Sequence, residues 1–468
     1  MVEITPNSGI CVQIVGGIKV CVPDDIQLMT PYVLQEQHDW FEDEIKFLRC
    51  TIRRGHHMVD IGANYGVYTL TAASLVGPEG SIAAFEPYPA TADWLRRSVE
   101  ANGFGNIRVI EAAVSSSTGR GSILASENSE LNRLAGPADG SAGEPVVLTT
   151  LDDSARDLAW PQIDFVKIDA EGHEISVIDG GRGFFMTQSP LVMCEIKAGD
   201  KVDLVPIARM EELGYSAYRL VPGLDALVPF HRGEFIDGYQ LNLFCCKEDR
   251  ARMLSGAGRL VMQPLTQLPD LDRDAWIGLL EKFPFGRQHL AIWQEKTTTH
   301  MVPGWDTYRH ALNAYASSRS SEYALPVRYA CLRFAYDRLA GLLERNANHP
   351  RLLSYVRVAA DLGLRQYAVS ALRRLVEMMR DGSPVFAGEP FLPVSPDLEC
   401  MDTGMNFADW IGASVLERLV SLGSFSSYFV PDETATFVPT IKALGFPTAA
   451  MERRLSLVQR RLSGLGSG

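Results

Sequence analysis

The chain has 468 residues, 46% of them hydrophobic, and its 57 acidic and 44 basic residues give a formal net charge of −13. This length exceeds what one ordinary core needs, so we expect two or three domains. The acidic excess disfavours binding along a phosphate backbone, which needs a basic surface, so we expect no nucleic-acid partner. We find neither a secretory signal nor an apolar segment long enough to span a membrane, and we expect a cytoplasmic protein.

The eight cysteines are scattered through the chain. Most lie in apolar runs, and none forms the CxxC spacing that a zinc site requires. We interpret them, including Cys11 and Cys21 of the first segment, as reduced core residues.

Residues 1–50 predict a hairpin followed by a helix. Cys11–Val22 alternates apolar and polar residues around Gly16-Gly17, and two glycines that tolerate positive φ predict a tight turn between two strands. Apolar residues at helical spacing between Tyr32 and Arg49 predict one amphipathic helix that leads into the main sheet.

Residues 51–250 alternate short apolar strands with helices, which is typical of βαβ units. The predicted strands are Met58–Ile61, Ser81–Phe85, Ile107–Val114, Ile163–Ile168, Leu191–Ile196 and a closing strand Tyr239–Cys246; helices are predicted at Tyr68–Val76 and Ala90–Asn102. We therefore predict an α/β fold with a doubly wound, Rossmann-like parallel sheet. A loop-rich interruption at about 115–160 predicts an inserted hairpin with a mobile tip. Tyr218–Gly238, rich in turn residues, predicts a lid near the substrate.

Helices dominate after about residue 250. We interpret 251–320, which contains Pro264, Pro269, Pro284 and Pro303, as a linker region, and 321–468 as an all-α C-terminal domain. Predicted helices at Tyr323–Asn346, Pro350–Asp361 and Leu364–Arg380 look like tetratricopeptide-type hairpins with an irregular period. This domain is a candidate surface for a protein partner or for self-association.

The segment Asp60-Ile61-Gly62-Ala63-Asn64-Tyr65-Gly66 joins a predicted strand to a predicted helix, which is where an α/β sheet binds a nucleotide-like cofactor. Gly62 and Gly66 permit a sharp turn and close packing, and Asn64 tolerates left-handed geometry. The turn lacks the GxGxxG spacing of NAD-binding proteins, which favours S-adenosylmethionine. We expect Asp60 to contact the ammonium group of its methionine part and the backbone amides to contact its carboxylate.

The ends of the next two strands complete the predicted cofactor site. Glu86, in Phe85-Glu86-Pro87, lies where an acidic residue accepts both ribose hydroxyls, a role that dehydrogenases share. Backbone groups of Ala113 and Val114 are candidates for contact with the adenine edge. The structural alternative is that Asp60 and Glu86 only cap helices.

Together with Phe165–Glu174, these motifs resemble the FkbM-type methyltransferases. The resemblance extends from about Tyr32 to Lys247 and excludes the helical C-terminal part. It implies a class I methyltransferase sheet, S-adenosylmethionine as cofactor, and O-methylation of a hydroxyl on a sugar, glycan or secondary metabolite. The predicted cofactor-binding residues are Asp60, Gly62, Ala63, Asn64, Gly66, Tyr68, Glu86, Pro87, Ala113, Val114 and Asp169.

Three titratable residues follow the fourth strand: Asp169, Glu171 and His173. Methyl transfer to a hydroxyl needs an in-line acceptor and a route for its proton, so we expect His173 or Asp169 to act as general base and Glu171 to orient the acceptor or His173. The structural alternative is that Glu171-Gly172-His173-Glu174 begins a helix, with acids at its positive end.

Three alternatives remain from the sequence. Asp169, Glu171 and Glu195 are oxygen ligands that suit a divalent cation, although we expect a metal-free site. The acceptor can be a peptide or protein side chain instead of a small molecule or glycan. The chain can also be a non-catalytic scaffold that binds a partner, but the intact Asp60, Glu86 and Asp169 argue against that class.

Overall fold

The computed structural model describes residues 9–124, 126, 129, 132–134, 143–198, 201–265, 267–299, 303–381, 388–404 and 406–465. The chain divides into two compact units. The first, here called the sheet unit, comprises Met1–Leu220, Leu227–Glu234 and Leu241–Met262. The second, the helical unit, comprises Val221–Ala226, Phe235–Gln240 and Gln263–Gly468.

The sheet unit begins with the predicted hairpin. Strands β1 (Gly9–Ile14) and β2 (Ile18–Pro23) pair antiparallel around Gly16 and Gly17, which both have positive φ. Cys11 and Cys21 lie opposite each other in this register and form a disulfide. The interpretation of these two cysteines as reduced core residues is therefore wrong, because strand pairing brings together residues that are ten positions apart in the sequence.

The lead-in segment is two helices and not the single helix predicted from its apolar spacing. Helix α1 (Met29–Gln37) ends where His38 adopts a left-handed conformation with φ 53°, and α2 (Asp43–Thr51) begins five residues further on. Acidic residues in the first turn of α2 stabilise its N-terminus. Periodicity alone did not reveal the break, because apolar residues on both sides of it face the same core.

The strands of the sheet unit that follow the hairpin form three further sheets. The strands are β3 (His57–Ile61), β4 (Ser81–Phe85), β5 (Ile107–Ile110), β6 (Ala113–Val114), β7 (Gly119–Leu124), β8 (Arg133–Leu134), β9 (Glu144–Thr149), β10 (Phe165–Ile168), β11 (Leu191–Glu195), β12 (Lys197–Ala198), β13 (Lys201–Val202), β14 (Ser216–Val221), β15 (Ala226–Pro229) and β16 (Asn242–Cys246). The helices between them are α3 (Val67–Val76), α4 (Pro89–Asn102), α5 (Leu151–Leu158), α6 (Glu174–Asp179), α7 (Arg182–Thr187), α8 (Val205–Glu212) and α9 (Glu248–Gly256).

The central sheet has eight strands in the order β15-β14-β16-β11-β10-β3-β4-β5. Strands β5, β4, β3, β10 and β11 are parallel, which confirms the doubly wound layout. Strand β16 runs antiparallel to both β11 and β14, so the sheet is mixed and not wholly parallel. The strand order reverses between β3 and β10, and the carboxyl ends of strands at such a switch point form a crevice for ligands.

The predicted insertion is a small sheet of its own. Strands β7 and β9 pair antiparallel as the predicted hairpin, and β6 and β8 extend them into the order β6-β9-β7-β8. Most of the tip between β7 and β9, which was predicted to be mobile, lies outside the described residues. Thr150 follows β9 and caps helix α5 by accepting a hydrogen bond from the backbone N–H of Asp153.

The helical unit contains α10 (Ala275–Leu280), α11 (Pro284–Thr299), α12 (Trp305–Ser318), α13 (Leu325–Leu343), α14 (His349–Asp361), α15 (Arg365–Arg380), α16 (Phe407–Leu422), α17 (Pro431–Ala443) and α18 (Ala449–Leu465). Successive helices from α12 to α18 pack against one another. Helices α13, α14 and α15 agree closely with the bounds read from the sequence. No helix among the described residues has the length and apolar character needed to cross a membrane.

The segment 251–320 is largely helical and does not form the predicted linker. Pro284 is the first residue of α11, and proline is well tolerated there because the first turn of a helix has no internal acceptor for its N–H. Tyr308 of α12 is fully buried and donates a hydrogen bond to Pro390 O at 2.8 Å. Most of the segment is therefore packed helix, although Pro264, Pro269 and Pro303 are exposed and lie between its helices.

Candidate active site

A cavity opens at the carboxyl ends of β3, β4 and β10. The cavity is lined by ten of the eleven predicted cofactor residues, namely Gly62, Ala63, Asn64, Gly66, Tyr68, Glu86, Pro87, Ala113, Val114 and Asp169, and also by the other two predicted catalytic residues, Glu171 and His173. The structure thus brings together motifs that are more than one hundred positions apart.

The turn after β3 depends on its glycine. Gly62 has φ 77°, and a Cβ atom at this position would lie 1.8 Å from the backbone oxygen of Asp169. The turn and the end of β10 can approach each other only because Gly62 has no side chain. Asn64 also adopts a left-handed conformation, with φ 50°, as its predicted tolerance allows.

The backbone amides of this turn already have protein acceptors. Gly62 N and Ala63 N both donate to Phe85 O at 3.0 Å, and Asn64 N donates to Oε2 of Glu86 at 2.9 Å. The prediction that the turn amides bind the methionine carboxylate is therefore wrong for these three. Their bonds attach the turn to the end of β4.

Asp60 is the one predicted cofactor residue that does not line the cavity. Its side chain has no exposed surface, and Oδ2 accepts a 2.6 Å hydrogen bond from Thr69 Oγ1. Its Oδ1 lies 3.8 Å from Lys167 Nζ. This arrangement does not support direct contact between Asp60 and the cofactor ammonium group, because the carboxylate faces the interior beneath α3.

Glu86 closes one side of the cavity with an almost fully buried carboxylate. Oε2 accepts from Asn64 N at 2.9 Å, and Oε1 accepts from Tyr88 N at 3.0 Å. Burial raises the pKa of Glu86 to about 7, although both backbone bonds and Lys167 act to lower it. Each oxygen keeps a further lone pair for a hydroxyl donor.

Apolar residues line the cavity beside Glu86. Ala113 and Val114 are 6% and 3% exposed and form β6 beside β9 of the insertion. Ile123 and Leu134 of the insertion line the same cavity, and the sequence did not assign them a role. Together they form a surface suited to a flat aromatic ring.

Lys167 connects Asp169 with the buried Asp60. Its Nζ donates to Oδ2 of Asp169 at 2.7 Å and to Gly62 O at 3.3 Å, and it lies 3.8 Å from Asp60. Burial acts to lower the pKa of Lys167, but Asp169 and Asp60 outweigh it and raise this pKa. Lys167 lies within the Phe165–Glu174 motif, but no role was predicted for it. Alternation along β10 is not visible in a strand that is buried on both faces.

His173 and Glu174 have different surroundings. Glu174 begins α6, and its Oε1 accepts from the backbone N–H of Ala170 at 3.0 Å and Gly172 at 3.1 Å, which supports the helix-start interpretation for Glu174. His173 lines the cavity, and its Nε2 lies 2.9 Å from Ser115 Oγ. Burial lowers the pKa of His173 below its ordinary value of 6.5.

A second acidic group lies beside the catalytic candidates. Carboxylate oxygens of Asp169, Glu171 and Glu195 all lie within 4.8 Å of one another, close enough to hold a cation. Burial, together with the charges of Asp169 and Glu171, raises the pKa of Glu195 to about 11. Since Lys167 already donates to Asp169, one positive charge is present at this edge without a metal ion.

The lead-in segment also lines the cavity, through Thr30, Trp40 and Glu42. Tyr68 Oη donates to Oε2 of Glu42 at 2.5 Å. The sequence analysis did not assign these residues to the site, because they precede every recognised motif. No residue of the predicted lid Tyr218–Gly238 lines this cavity among the residues that the structure describes.

The lid prediction is corrected by the contacts of its two loops. Both loops, 221–226 and 235–240, belong to the helical unit. Within that unit Asp237 Oδ2 accepts from Gln366 N at 2.8 Å, and Tyr239 Oη donates to Gly423 O at 3.0 Å. The turn-forming residues of this segment correctly predicted loops, but they did not predict that these loops pack within the helical unit.

A mixed sheet of this strand order, with a ligand cavity at its switch point and an acid at the end of the second strand, has the fold of a class I methyltransferase domain. Residues 60–217 match the family model of the methyltransferase FkbM domain. The resemblance read from the motifs is thereby confirmed for this part of the chain.

Comparisons with individual proteins cover smaller parts. The chain is 34% identical over 59 residues to a protein-L-isoaspartate O-methyltransferase of Ignicoccus hospitalis, which is 13% of this chain and 28% of that protein's length. Among solved structures, methyltransferase FkbM of Methylobacillus flagellatus KT is 18% identical, with a TM-score of 0.28 and coverage of 48% of this chain and 56% of that chain. Fibrillarin of Aeropyrum pernix, solved with natively bound S-adenosyl-L-methionine, is 14% identical, with a TM-score of 0.26 and coverage of 42% and 68%.

Proposed function

We propose that the protein is an S-adenosylmethionine-dependent O-methyltransferase that acts on a hydroxyl of a sugar, glycan or secondary metabolite. The observation that carries this proposal is one cavity that combines the glycine turn, Glu86, the apolar Ala113–Val114 surface and His173. The resemblance to the FkbM domain supports the choice of a hydroxyl acceptor.

The residues that line the cavity define one orientation for the cofactor. Ala113 and Val114 would contact the adenine ring, and Glu86 would accept hydrogen bonds from the ribose hydroxyls. Asp169 and His173, at the end of β10, would then lie beside the sulfonium group. Glu171 would hold an acceptor on the side of the methyl group away from the sulfur, as in-line displacement requires.

The reaction has a simple balance. A lone pair of the acceptor oxygen forms the new C–O bond, the C–S bond breaks, and its electron pair returns to sulfur to give S-adenosylhomocysteine. The acceptor proton passes to a base. No oxidant or reductant is needed, so the protein supplies positioning and a proton route.

His173 suits the role of base better than Asp169. Burial lowers its pKa, so the imidazole is neutral near pH 7. When Nε2–H donates to Ser115 Oγ, Nδ1 carries the free lone pair. Asp169 instead accepts a hydrogen bond from Lys167 at 2.7 Å, so one of its carboxylate oxygens is already engaged. We assign His173 as base, Asp169 to the cofactor and Glu171 to the acceptor.

The proposal is tested by transfer of a labelled methyl group. Purified protein is incubated with methyl-labelled S-adenosylmethionine and with extracts fractionated into glycans, small metabolites and proteins. We expect label in a glycan or metabolite fraction, stable to mild base and located on oxygen by mass analysis. Label on nitrogen or carbon would overturn O-methylation.

A second candidate acceptor is a peptide or protein side chain. It is favoured by the short match to a protein-L-isoaspartate O-methyltransferase, of which the chain spans little more than a quarter. A carboxyl methyl ester hydrolyses in mild base, whereas a methyl ether does not. Base-labile label in the protein fraction would therefore select this candidate.

A further inference from the structure

Part of the cavity wall comes from outside the matched domain. The link between α1 and α2 contributes Trp40 and Glu42, and both precede residue 60, where the family match begins. This link is held firmly, since Arg49 of α2 binds Asp39 through two hydrogen bonds of 2.5 and 2.7 Å. Glu42 is therefore presented to the cavity by a fixed backbone.

The carboxylate of Glu42 is surrounded by neutral donors. Oε2 accepts from Tyr68 Oη at 2.5 Å and from Asn242 Nδ2 at 3.3 Å, and Oε1 accepts from Trp40 Nε1 at 3.1 Å. Glu42 takes part in no ion pair within the described part of the chain. Burial raises its pKa, and the bond from Tyr68 opposes this. A cation beside Glu42 would favour its charged form.

The partners of Glu42 locate it along the cavity. Tyr68 lies on α3, which follows β3, and Asn242 begins β16, where it pairs with Glu195 of β11. Glu86 lies on the opposite side, at the end of β4, where the ribose is expected. Glu42 is therefore at the end of the cavity that receives the methionine part of the cofactor.

That end needs an acceptor for an ammonium group. Asp60, the residue expected to supply it, is sealed beneath α3, and Asp169 is already paired with Lys167. Glu42 is a cavity-lining carboxylate at this end; its hydrogen bonds come from the neutral donors Tyr68, Asn242 and Trp40, and Lys167 attracts it only through space. Building on the proposed function, we infer that Glu42 binds the α-ammonium group of S-adenosylmethionine and thereby positions the sulfonium for transfer.

Two ligands test this inference by calorimetry on the full chain. S-adenosylhomocysteine carries the amino-acid part, whereas 5′-methylthioadenosine lacks it. Glu42→Gln should weaken S-adenosylhomocysteine binding about tenfold or more, because a charge-assisted hydrogen bond is lost. Binding of 5′-methylthioadenosine should not change, because its adenine and ribose contact other residues.

The matched control is Asp43→Asn, which removes a neighbouring negative charge from an exposed pair with Lys46. It should leave the affinity for both ligands unchanged. Equal losses for both ligands in Glu42→Gln, or no loss for either, would overturn the role of Glu42. Failure of the unaltered protein to bind S-adenosylhomocysteine would instead refute the proposed function. If Glu42→Gln does not fold, Glu42→Asp keeps the charge but withdraws it by one methylene, and the same selective loss is expected.

Discussion

Both units of the chain bury charged side chains, but the surroundings of these side chains differ. In the sheet unit Glu42, Glu86 and Lys167 line a cavity. In the helical unit Arg351 is fully buried and binds both oxygens of Glu389 at 2.6 and 2.9 Å, with Pro303 O at 2.8 Å as a further acceptor. The charges of this buried pair are thus balanced by the protein itself.

The comparison shows how buried charge can be interpreted. A buried ion pair with complete hydrogen bonding is costly to break, and its role is structural. Buried acids whose pKa is raised and which line a cavity indicate a site for a ligand. The difference predicts that substitutions in the sheet unit change binding or turnover, while those at Arg351 and Glu389 change stability.

The largest effect is expected at His173. His173→Ala should reduce turnover by about 10²–10⁴-fold, the usual contribution of a general base, and leave S-adenosylhomocysteine affinity unchanged. In the unaltered protein kcat at saturating S-adenosylmethionine should fall at acidic pH, because protonation of His173 removes the base, and burial moves this fall below the ordinary histidine pKa. At saturating cofactor, kcat should be level near neutral pH. Steady-state kinetics across pH measure the loss of turnover in His173→Ala and the pH dependence of the unaltered protein, and calorimetry measures the affinity for S-adenosylhomocysteine. If His173→Ala turned over as fast as the unaltered protein, His173 would be excluded as the base.

The next effect is a loss of stability in the helical unit. Glu389→Ala leaves Arg351 buried without its partner, so we expect about 3–5 kcal/mol of destabilisation. Asp337→Ala, which breaks the exposed pair with Arg333, should cost about 1 kcal/mol or less. Denaturant unfolding followed by circular dichroism measures both. If both variants lost similar amounts of unfolding free energy, the predicted difference between buried and exposed ion pairs would be contradicted.

A pH-dependent effect on binding is expected at Glu86. Its pKa of about 7 means that the carboxylate becomes protonated as pH falls from 8 to 6, and it then loses acceptor capacity for the ribose. S-adenosylhomocysteine affinity should therefore decrease over this range. Glu86→Gln should bind about tenfold more weakly at pH 8 and should lack this pH dependence. A variant that retained the full dependence would show that another group titrates.

The smallest effect is expected from removal of metal ions. Since Lys167 already donates to Asp169, we expect turnover to persist after treatment with a chelator and dialysis. Loss of turnover that added Mg²⁺ restores would instead assign the cluster of Asp169, Glu171 and Glu195 to a divalent cation.

The fold was predictable where local pattern and burial agree. The strands β3, β4, β10 and β11 and the helices α13 to α15 lie close to the predicted bounds, because their apolar residues are consecutive or helically spaced. The break at His38 and the helices of 251–320 were not predictable. They depend on a left-handed residue and on tertiary packing of proline-rich segments.

The sequence predicted which residues line the cavity better than it predicted the hydrogen bonds between them. The motifs gave ten cavity-lining cofactor residues, but they did not show that Asp60 faces the interior or that Gly62 N and Ala63 N are bonded to Phe85. The bonds of Gly62 N and Ala63 N depend on the position of the neighbouring strand β4, which the sequence motifs do not specify. Glu42 precedes every motif, and only the folded chain brings it to the cavity.

The central claim is that the cavity binds S-adenosylmethionine, and calorimetry with S-adenosylhomocysteine tests it most directly. We predict one bound molecule per chain, and loss of this binding in Gly62→Ala, whose added Cβ would lie 1.8 Å from Asp169 O, with the helical unit still folded by circular dichroism. No detectable binding to the unaltered protein, or equal binding to Gly62→Ala, would contradict the account.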